Sequence, residues 1–380
     1  MYVPSFWDHS EVFHQTDLCI IGSGIVGLNA ALNYKLQRPG ARVVVVDRGF
    51  LPYGASTRNA GFACYGSMTE LLDDLNHESG DEVFSRVERR WKGLLRLRTI
   101  IGDSAMQYEP YGGFEVFAEK DRSEFEKCSA HISSFNQMLK NITGINGCYA
   151  VADERIAEFG LGGVEHLICN SGEGQIDTGR MMTALSAKVR DTGVILLNGV
   201  SINEINETGK SVVLSGENGF RLNCRNVLVA NNGFAAQLLP QLQVEPARAQ
   251  VLITQPVPGL HLKGSFHYDK GYYYFRNVND RVLFGGGRNL DFEGERTVNF
   301  GLTDTIQNSL ERLLKEMILP YADFKIDMRW SGIMGLGPSK SAIIQPISEH
   351  VFCSVRMGGM GVAIGSLVGE DAAKMILESE

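Results

Sequence analysis

A strand, a glycine turn and a helix in immediate succession constrain this chain more than any other feature of it. Asp17–Ile21 reads as a short buried strand, and Gly22-Ser23-Gly24-Ile25-Val26-Gly27 follows it. Ile25, Leu28, Leu32 and Leu36 then recur at spacings of three and four, which places one apolar stripe on a helix. Pro39-Gly40 ends that helix. Arg42–Val46 reads as a second strand, with Asp47 at its C-terminal end. This is the strand–turn–helix–strand setting that a G-x-G-x-x-G dinucleotide site requires. Gly22 makes the tight turn, Gly24 lets backbone approach a pyrophosphate, and Gly27 lets the helix pack on the sheet. Ile25 and Val26 open the helix, whose free N–H groups and dipole favour phosphate oxygens. Asp47 is placed to accept hydrogen bonds from ribose hydroxyls.

The rest of the composition narrows the function classes. A length of 380 residues suggests about two or three domains. Lys+Arg is 36 and Asp+Glu is 44, a net charge of −8, which argues against a nucleic-acid partner. Glycine is 43 of 380 residues, well above the usual share of about 7%. No apolar run approaches the roughly 20 residues of a membrane span. The N-terminal MYVPSFWDHSEVFHQ has no basic start followed by an apolar stretch, so it is not read as a signal peptide. The seven cysteines are scattered and form no C-x-x-C pair. No disulfide framework or metal site is expected, and the cytoplasm is the expected location.

The motif alone does not separate NAD from FAD. The next segment, Gly54-Ala55-Ser56-Thr57-Arg58-Asn59-Ala60-Gly61-Phe62, is small and polar, with Ser56 or Thr57 placed to cap a new helix. The GSGIVG turn, Asp47 followed by Arg48, and GASTRNAG together resemble the FAD-dependent D-amino acid oxidase superfamily, nearest its glycine oxidase and sarcosine oxidase branches. The tail strengthens the likeness. Val351–Val355 reads as a strand, then Gly358, Gly359, Met360, Gly361 and Val362 open a helix running to about Leu377. This is similar to the glycine turn that closes the flavin site in that superfamily, where N–H groups face the N1–C2 edge of the ring. Gly365 and Gly369 read as close helix–sheet packing.

The resemblance implies an α/β fold: a discontinuous Rossmann-like FAD-binding domain and a second α+β substrate domain on a mostly antiparallel sheet. The expected FAD domain is residues 1–95, 172–240 and 326–380; the expected substrate domain is 96–171 and 241–325. It also implies that Arg48, Ala55, Ser56, Arg58, Asn59, Ala60 and Gly61 follow the pyrophosphate and flavin edge. Val200 is expected to contact adenine through its backbone, and Asn231 to lie beside the cofactor.

Tyr272–Arg276, a turn at Asn279-Asp280 and Arg281–Phe284 read as a hairpin. Alternation puts Tyr272, Tyr274 and Arg276 on one face, Tyr273 and Phe275 on the other. Arg276 is therefore either a substrate carboxylate clamp or an exposed arginine beside sheet-core aromatics. His267 and Tyr268, in the preceding strand, face substrate or are hydrogen-bonded structural residues. Glycine-oxidase-like members carry W-x-G-L-R-P-x-T-x-D, whose arginine holds the substrate carboxylate. Here Trp330 and Gly332 match, Met334 replaces the arginine, and the acid is missing. The cysteine that attaches flavin in sarcosine oxidases is absent too, so noncovalent FAD is expected. Lys340 either assists oxygen reduction or is an ordinary exposed lysine. Cys64 either lies near the flavin or is a small buried thiol.

The function expected from the resemblance is FAD-dependent oxidation of a C–N bond in an amine or amino acid, by hydride transfer to flavin N5. Oxygen or another acceptor would reoxidise the flavin. The readings that remain beside it are a 2-hydroxy acid oxidase or dehydrogenase, a nicotinamide dehydrogenase, and a flavin-binding protein without turnover.

Overall fold

The computed structural model describes residues 5–14 and 16–380. Of the N-terminal segment read above, residues 1–4 and 15 lie outside the described ones. Two eight-stranded sheets organise the chain. In the first, Val351–Val355, Arg221–Val229, Thr16–Ile21, Val43–Asp47 and Ile195–Asn198 lie parallel in that order. Leu18–Ile20 and Val43–Val46 are fully buried. That suits near-continuous apolar strands covered on both faces. Ile343–Pro346 adds an antiparallel edge, and Ser211–Gly216 and Ile202–Thr208 branch from Arg221–Val229.

The helix Ile25–Gln37 follows the glycine turn and buries most of its length. The C-terminal helix Gly361–Ser379 lies on it, and small residues allow the approach. A Cβ at Gly365 would sit 2.6 Å from Ile25 Cγ2, and one at Gly369 would sit 2.6 Å from the Val26 carbonyl oxygen. The expected helix–sheet packing is thus a helix–helix contact, because these glycines face the first helix and not the strands. The helix Gly80–Ile101 closes on the other flank, where a Cβ at Gly93 would meet the Ala363 carbonyl at 2.0 Å.

The second sheet runs Ile326–Leu336, Glu245–Thr254, Arg281–Gly286, Tyr273–Val278, Ser265–Tyr268, Gly113–Ala118, Val164–Asn170, Tyr149–Val151. Its pairings are antiparallel except that of Ser265–Tyr268 with Gly113–Ala118. Two expected boundaries shift. Ile326–Leu336, placed with the cofactor segments in sequence, pairs along Glu245–Thr254 in this second sheet. The boundary at 95 falls inside a continuous helix. The helix Arg122–Thr143, placed in the substrate segments, sends Cys128, Phe135 and Leu139 into the same core as the glycine-turn helix. Among the described residues no helix is long and apolar enough to cross a membrane.

Candidate active site

A cavity of about 820 Å³ takes its walls from both sheets. At one end lies the glycine turn. Gly22 has φ +113°, and a Cβ there would lie 2.8 Å from the Ala230 carbonyl oxygen. Asp47 also lines the cavity. Its Oδ2 accepts from the Ser23 N–H at 2.9 Å and hydroxyl at 2.8 Å, and Oδ1 accepts from the Gly49 N–H at 3.0 Å. A carboxylate oxygen has two lone pairs, so these bonds orient Asp47 and leave it acceptor capacity. The Arg48 guanidinium stacks 3.8 Å over the Phe234 ring and has no hydrogen-bond or ion-pair partner among the described residues. Burial lowers its pKa. Val200 lines this end as well, its N–H donating to the Asp47 carbonyl at 2.8 Å.

Ala55–Thr57 forms a single 3-10 turn, so the helix expected at Ser56 or Thr57 does not form. Ser56 caps the other helix: its Oγ accepts the Ile25 N–H at 2.9 Å. Thr57 donates to the Pro52 carbonyl at 2.7 Å. Gly24 makes room for this arrangement, since a Cβ there would lie 2.9 Å from Ser56 Oγ. Arg58 donates to the Ser331 carbonyl at 2.9 Å and stacks on Tyr53 and Phe300. Gly358, Gly359, Met360, Gly361 and Val362 line the cavity as well, with φ +58° and +83° at the first two. That turn is held by a residue the sequence reading passed over. Asn232 Oδ1 accepts the N–H groups of Arg356 at 3.1 Å and Met357 at 3.2 Å.

Ile25, Val26, Ala55, Asn59, Ala60 and Asn231 line the cavity too. Gly27 and Gly61 do not. Gly27 is packed against the turn, where a Cβ would lie 2.0 Å from the Gly22 carbonyl oxygen. Gly61, at φ +74°, ties its loop to the Ile176 N–H through its carbonyl at 2.8 Å.

Farther along, the second sheet supplies the wall. His267 and Tyr274 are cross-strand partners, and Phe62 packs edge-on to both at 5.1 and 5.9 Å. The Tyr274 ring covers Gly285, where a Cβ would come within 2.7 Å of its hydroxyl. Neither the His267 ring nor the Tyr274 hydroxyl has a hydrogen-bond partner among the described residues. Burial pushes His267 down to about 4 and Tyr274 up to about 12, so both are neutral near pH 7. Met334 and Cys64 complete this chamber. Burial pushes the Cys64 thiol well up, which keeps it protonated. Tyr268 lies in the apolar core of the second sheet.

Two sequence candidates sit differently from expectation. Arg276 is buried, yet it lines a second cavity behind the Thr57–Gly61 loop, with Trp330 and Glu109. Its Nη1 donates to the Gly61 carbonyl at 3.5 Å. Alternation did put it on the face of Tyr274, but the loop comes between Arg276 and the chamber. Lys340 lines the main cavity, but its ammonium is ion-paired to Glu70 at 3.3 Å and to Asp74. Glu70 is also gripped by Arg90, with Nη2–Oε1 at 2.9 Å. Burial opposes its charge, and Arg90 and Lys340 overcome that opposition and hold Glu70 near 2. The carboxylates therefore offset most of the field Lys340 would project over the cavity.

The family model for FAD-dependent oxidoreductases (DAO) matches residues 17–375. The chain belongs to this family of FAD-dependent oxidoreductases. Gamma-glutamylputrescine oxidoreductase of Escherichia coli (strain K12) is 23% identical over 95% of this chain and 83% of its own length. The L-proline dehydrogenase structure from P. horikoshii superposes with a TM-score of 0.75 at 18% identity, covering 97% and 95% of the two chains. Glycine oxidase from Geobacillus kaustophilus superposes at 0.73 and 19%, covering 97% and 96%.

The cavity of this FAD-dependent oxidoreductase fits its cofactor. Two glycine turns open helices that pack side by side, and both line the cavity and offer N–H groups to anionic oxygens. The buried Asn231 Oδ1 has no hydrogen-bond partner among the described residues, and Asn231 borders the same space. Gly22, Gly24, Asp47, Arg48 and Val200 would hold the nucleotide and pyrophosphate. Ser56, Arg58, Asn59, Ala60 and Gly358–Val362 would hold the flavin.

Behind the chamber, Glu173 is buried and accepts the N–H groups of Tyr65 at 2.9 Å and Gly66 at 3.1 Å. Burial outweighs those bonds and raises Glu173 to about 8; Glu115 is raised to about 7, also by burial. In the unfolded chain a glutamate titrates near 4.5. Between that value and about 8 the folded state holds the extra proton, so stability falls as pH rises through this window. Thermal melts at pH 5 to 9 should show Tm falling with pH. Glu173→Gln, which keeps the Oε1 acceptor, should flatten that fall by roughly 5 °C. A fall equally steep in the variant would rule Glu173 out as its source.

Proposed function

We propose that this oxidoreductase oxidises the C–N bond of an amine or amino acid, with noncovalently bound FAD. The observation that carries the reading is the chamber itself. Two neutral groups without hydrogen-bond partners among the described residues, His267 and Tyr274, face a space bordered by Phe62 and Met334. Such a space favours the neutral form of an amine, because Glu70, the carboxylate that acts on His267, is already held by Arg90 and Lys340, and burying an ammonium without a free counter-ion is costly. FAD, when bound, supplies a two-electron acceptor for the hydride lost from the carbon bearing nitrogen, and water then hydrolyses the imine.

The protein residues bind, orient and exclude water. His267, unprotonated near neutral pH, is suited to accept a hydrogen bond from the amine N–H. Tyr274 keeps its proton and is suited to donate to the substrate. Phe62 and Met334 exclude water from the reacting carbon. The paired Lys340 serves better as a tie from its loop to the helix Met68–Leu75 than as an oxygen-activating charge. Noncovalent attachment is supported by Cys64, the one thiol lining the cavity among the described residues, which burial keeps protonated. Three relatives named for C–N substrates, described above, support the bond class. We infer a reducing compartment from seven free thiols, and oxygen or another acceptor for the electrons.

The test is anaerobic bleaching of the flavin band by a panel of amines, D- and L-amino acids and 2-hydroxy acids. Amines or amino acids are expected to bleach it, with ammonia or a primary amine released. Bleaching by hydroxy acids alone would replace C–N with C–O oxidation. No bleaching by any member would favour a binding role without turnover.

A further inference from the structure

Beyond the nucleotide turn, two cations line the cavity without a hydrogen-bond or ion-pair partner among the described residues. Arg288 lines the cavity half-buried, its guanidinium 4.7 Å over the Phe292 ring, and it has no hydrogen-bond or ion-pair partner among the described residues. The nearby Glu295 is committed to Arg248 and Gln250, with bonds of 2.8 and 2.9 Å, and Glu245 pairs with Arg296. Lys270 lines the same stretch from a tight turn, at φ +55°, and is likewise unpaired among the described residues. The other lining cations are spoken for or lie elsewhere. Arg58 binds the Ser331 carbonyl, Lys340 binds Glu70 and Asp74, and Arg48 stands at the nucleotide turn.

Their position relative to the chamber is set by the sheet. Gly287 N–H donates to the Tyr272 carbonyl at 2.9 Å, which puts Arg288 beside Tyr272. Tyr272 is two residues along from Tyr274, or roughly 7 Å at strand rise. Lys270 lies in the turn beyond. At the inner end, by contrast, Met334, Phe62, His267 and Tyr274 carry no charge near pH 7, and Lys340 and Glu70, which line that space too, are paired with each other, Asp74 and Arg90. A carboxylate on the reacting carbon would therefore meet no cation, whereas one farther away would meet two. Arginine suits this task because its planar fork matches a carboxylate.

We propose that the substrate is an amine bearing a carboxylate several bonds from the carbon–nitrogen bond that reacts, and that Arg288, assisted by Lys270, binds that carboxylate. This rests on the C–N reading above and deepens it by naming the substrate class. Met334 then follows from the layout: an arginine there would serve an α-carboxylate that this substrate does not present to it.

The test uses the FAD-loaded enzyme and matched pairs of probes: 6-aminohexanoate against n-hexylamine, and 4-aminobutyrate against n-butylamine, with glycine as the α-carboxylate control. Binding is read from perturbation of the flavin absorbance and turnover from anaerobic reduction. The carboxylated member of at least one pair should bind tenfold or more tightly than its alkylamine and than glycine. Arg288→Ala should weaken it roughly tenfold to hundredfold, and Arg288→Lys should restore part of the loss. Unchanged flavin content and Tm show that each variant folds. An absent carboxylate preference in wild type, or one that survives Arg288→Ala with Lys270→Ala, overturns the proposal. If amines bleach the flavin without that preference, only this inference fails. If hydroxy acids alone bleach it, the C–N reading fails and this one with it.

Discussion

Gly27→Ala is expected to purify with less than a tenth of the wild-type flavin. The added methyl would sit 2.0 Å from the Gly22 carbonyl oxygen and 3.2 Å from Ile20 Cγ2. Backbone cannot yield there cheaply. Gly22 is pinned by its own N–H, which donates to the Val46 carbonyl at 2.8 Å. Relief must come from moving the helix Ile25–Gln37 off the turn, and that helix carries the C-terminal helix on its other face. Both glycine cradles would shift together. Overpacking of this kind costs about 3 kcal/mol. The measurements are flavin absorbance per mole of protein and the Tm of the flavin-free form. A yellow Gly27→Ala protein with unchanged Tm would show that the turn tolerates the methyl.

Arg90→Met should lower Tm by roughly 3–5 °C, for a loss of about 3 kcal/mol. Arg90 is 3% exposed and grips Glu70 with two nitrogens, while its Nη1 also donates to the Tyr65 carbonyl at 3.1 Å. Methionine fills much of the volume but leaves the Glu70 carboxylate facing the cavity with Lys340 alone. Removing one partner of a buried pair costs far more than the pair contributes, because the remaining charge has lost its water. Lys340→Met should cost less, about 1 kcal/mol, since its own side chain is 42% exposed, Glu70 keeps Arg90, and the buried Asp74 keeps Arg86 at 3.6 Å. Equal losses in the two variants would contradict this ranking. Thermal melts decide it, and low-pH melts add a second check. Glu70 is held near 2, so its contribution should disappear as pH falls from about 4.5 toward that value.

The cofactor side was legible because its signals are local. Gly22, Gly24, Asp47 and the Gly358–Gly361 turn act through backbone geometry within a few residues, and periodicity marked the helices that follow them. The substrate side was legible only in part. Alternation put Tyr274 and Arg276 on one face correctly, yet the Thr57–Gly61 loop runs between them and sends Arg276 to another cavity. Ser56 is similar: its capping chemistry was readable, but the helix it caps lies 31 residues back in the chain. Arg288 carried no signal, and Asn232 only that of the Asn231-Asn232-Gly233 break beside the expected cofactor. An asparagine in a glycine-rich break and an arginine after a strand are ordinary residues until their neighbours are known.

By itself the sequence determined the strand–turn–helix unit and the parallel strands beside it, since these rest on short spacings that the backbone must honour wherever the segment lies, while FAD and the family came from the resemblance of the two glycine segments. Only the tertiary structure decided which sheet Ile326–Leu336 joins, which cations stay unpaired, and that Lys340 is neutralised by the helix Met68–Leu75. Those outcomes depend on contacts between residues far apart in the chain, where charge and burial are properties of the assembled site and no local pattern encodes them.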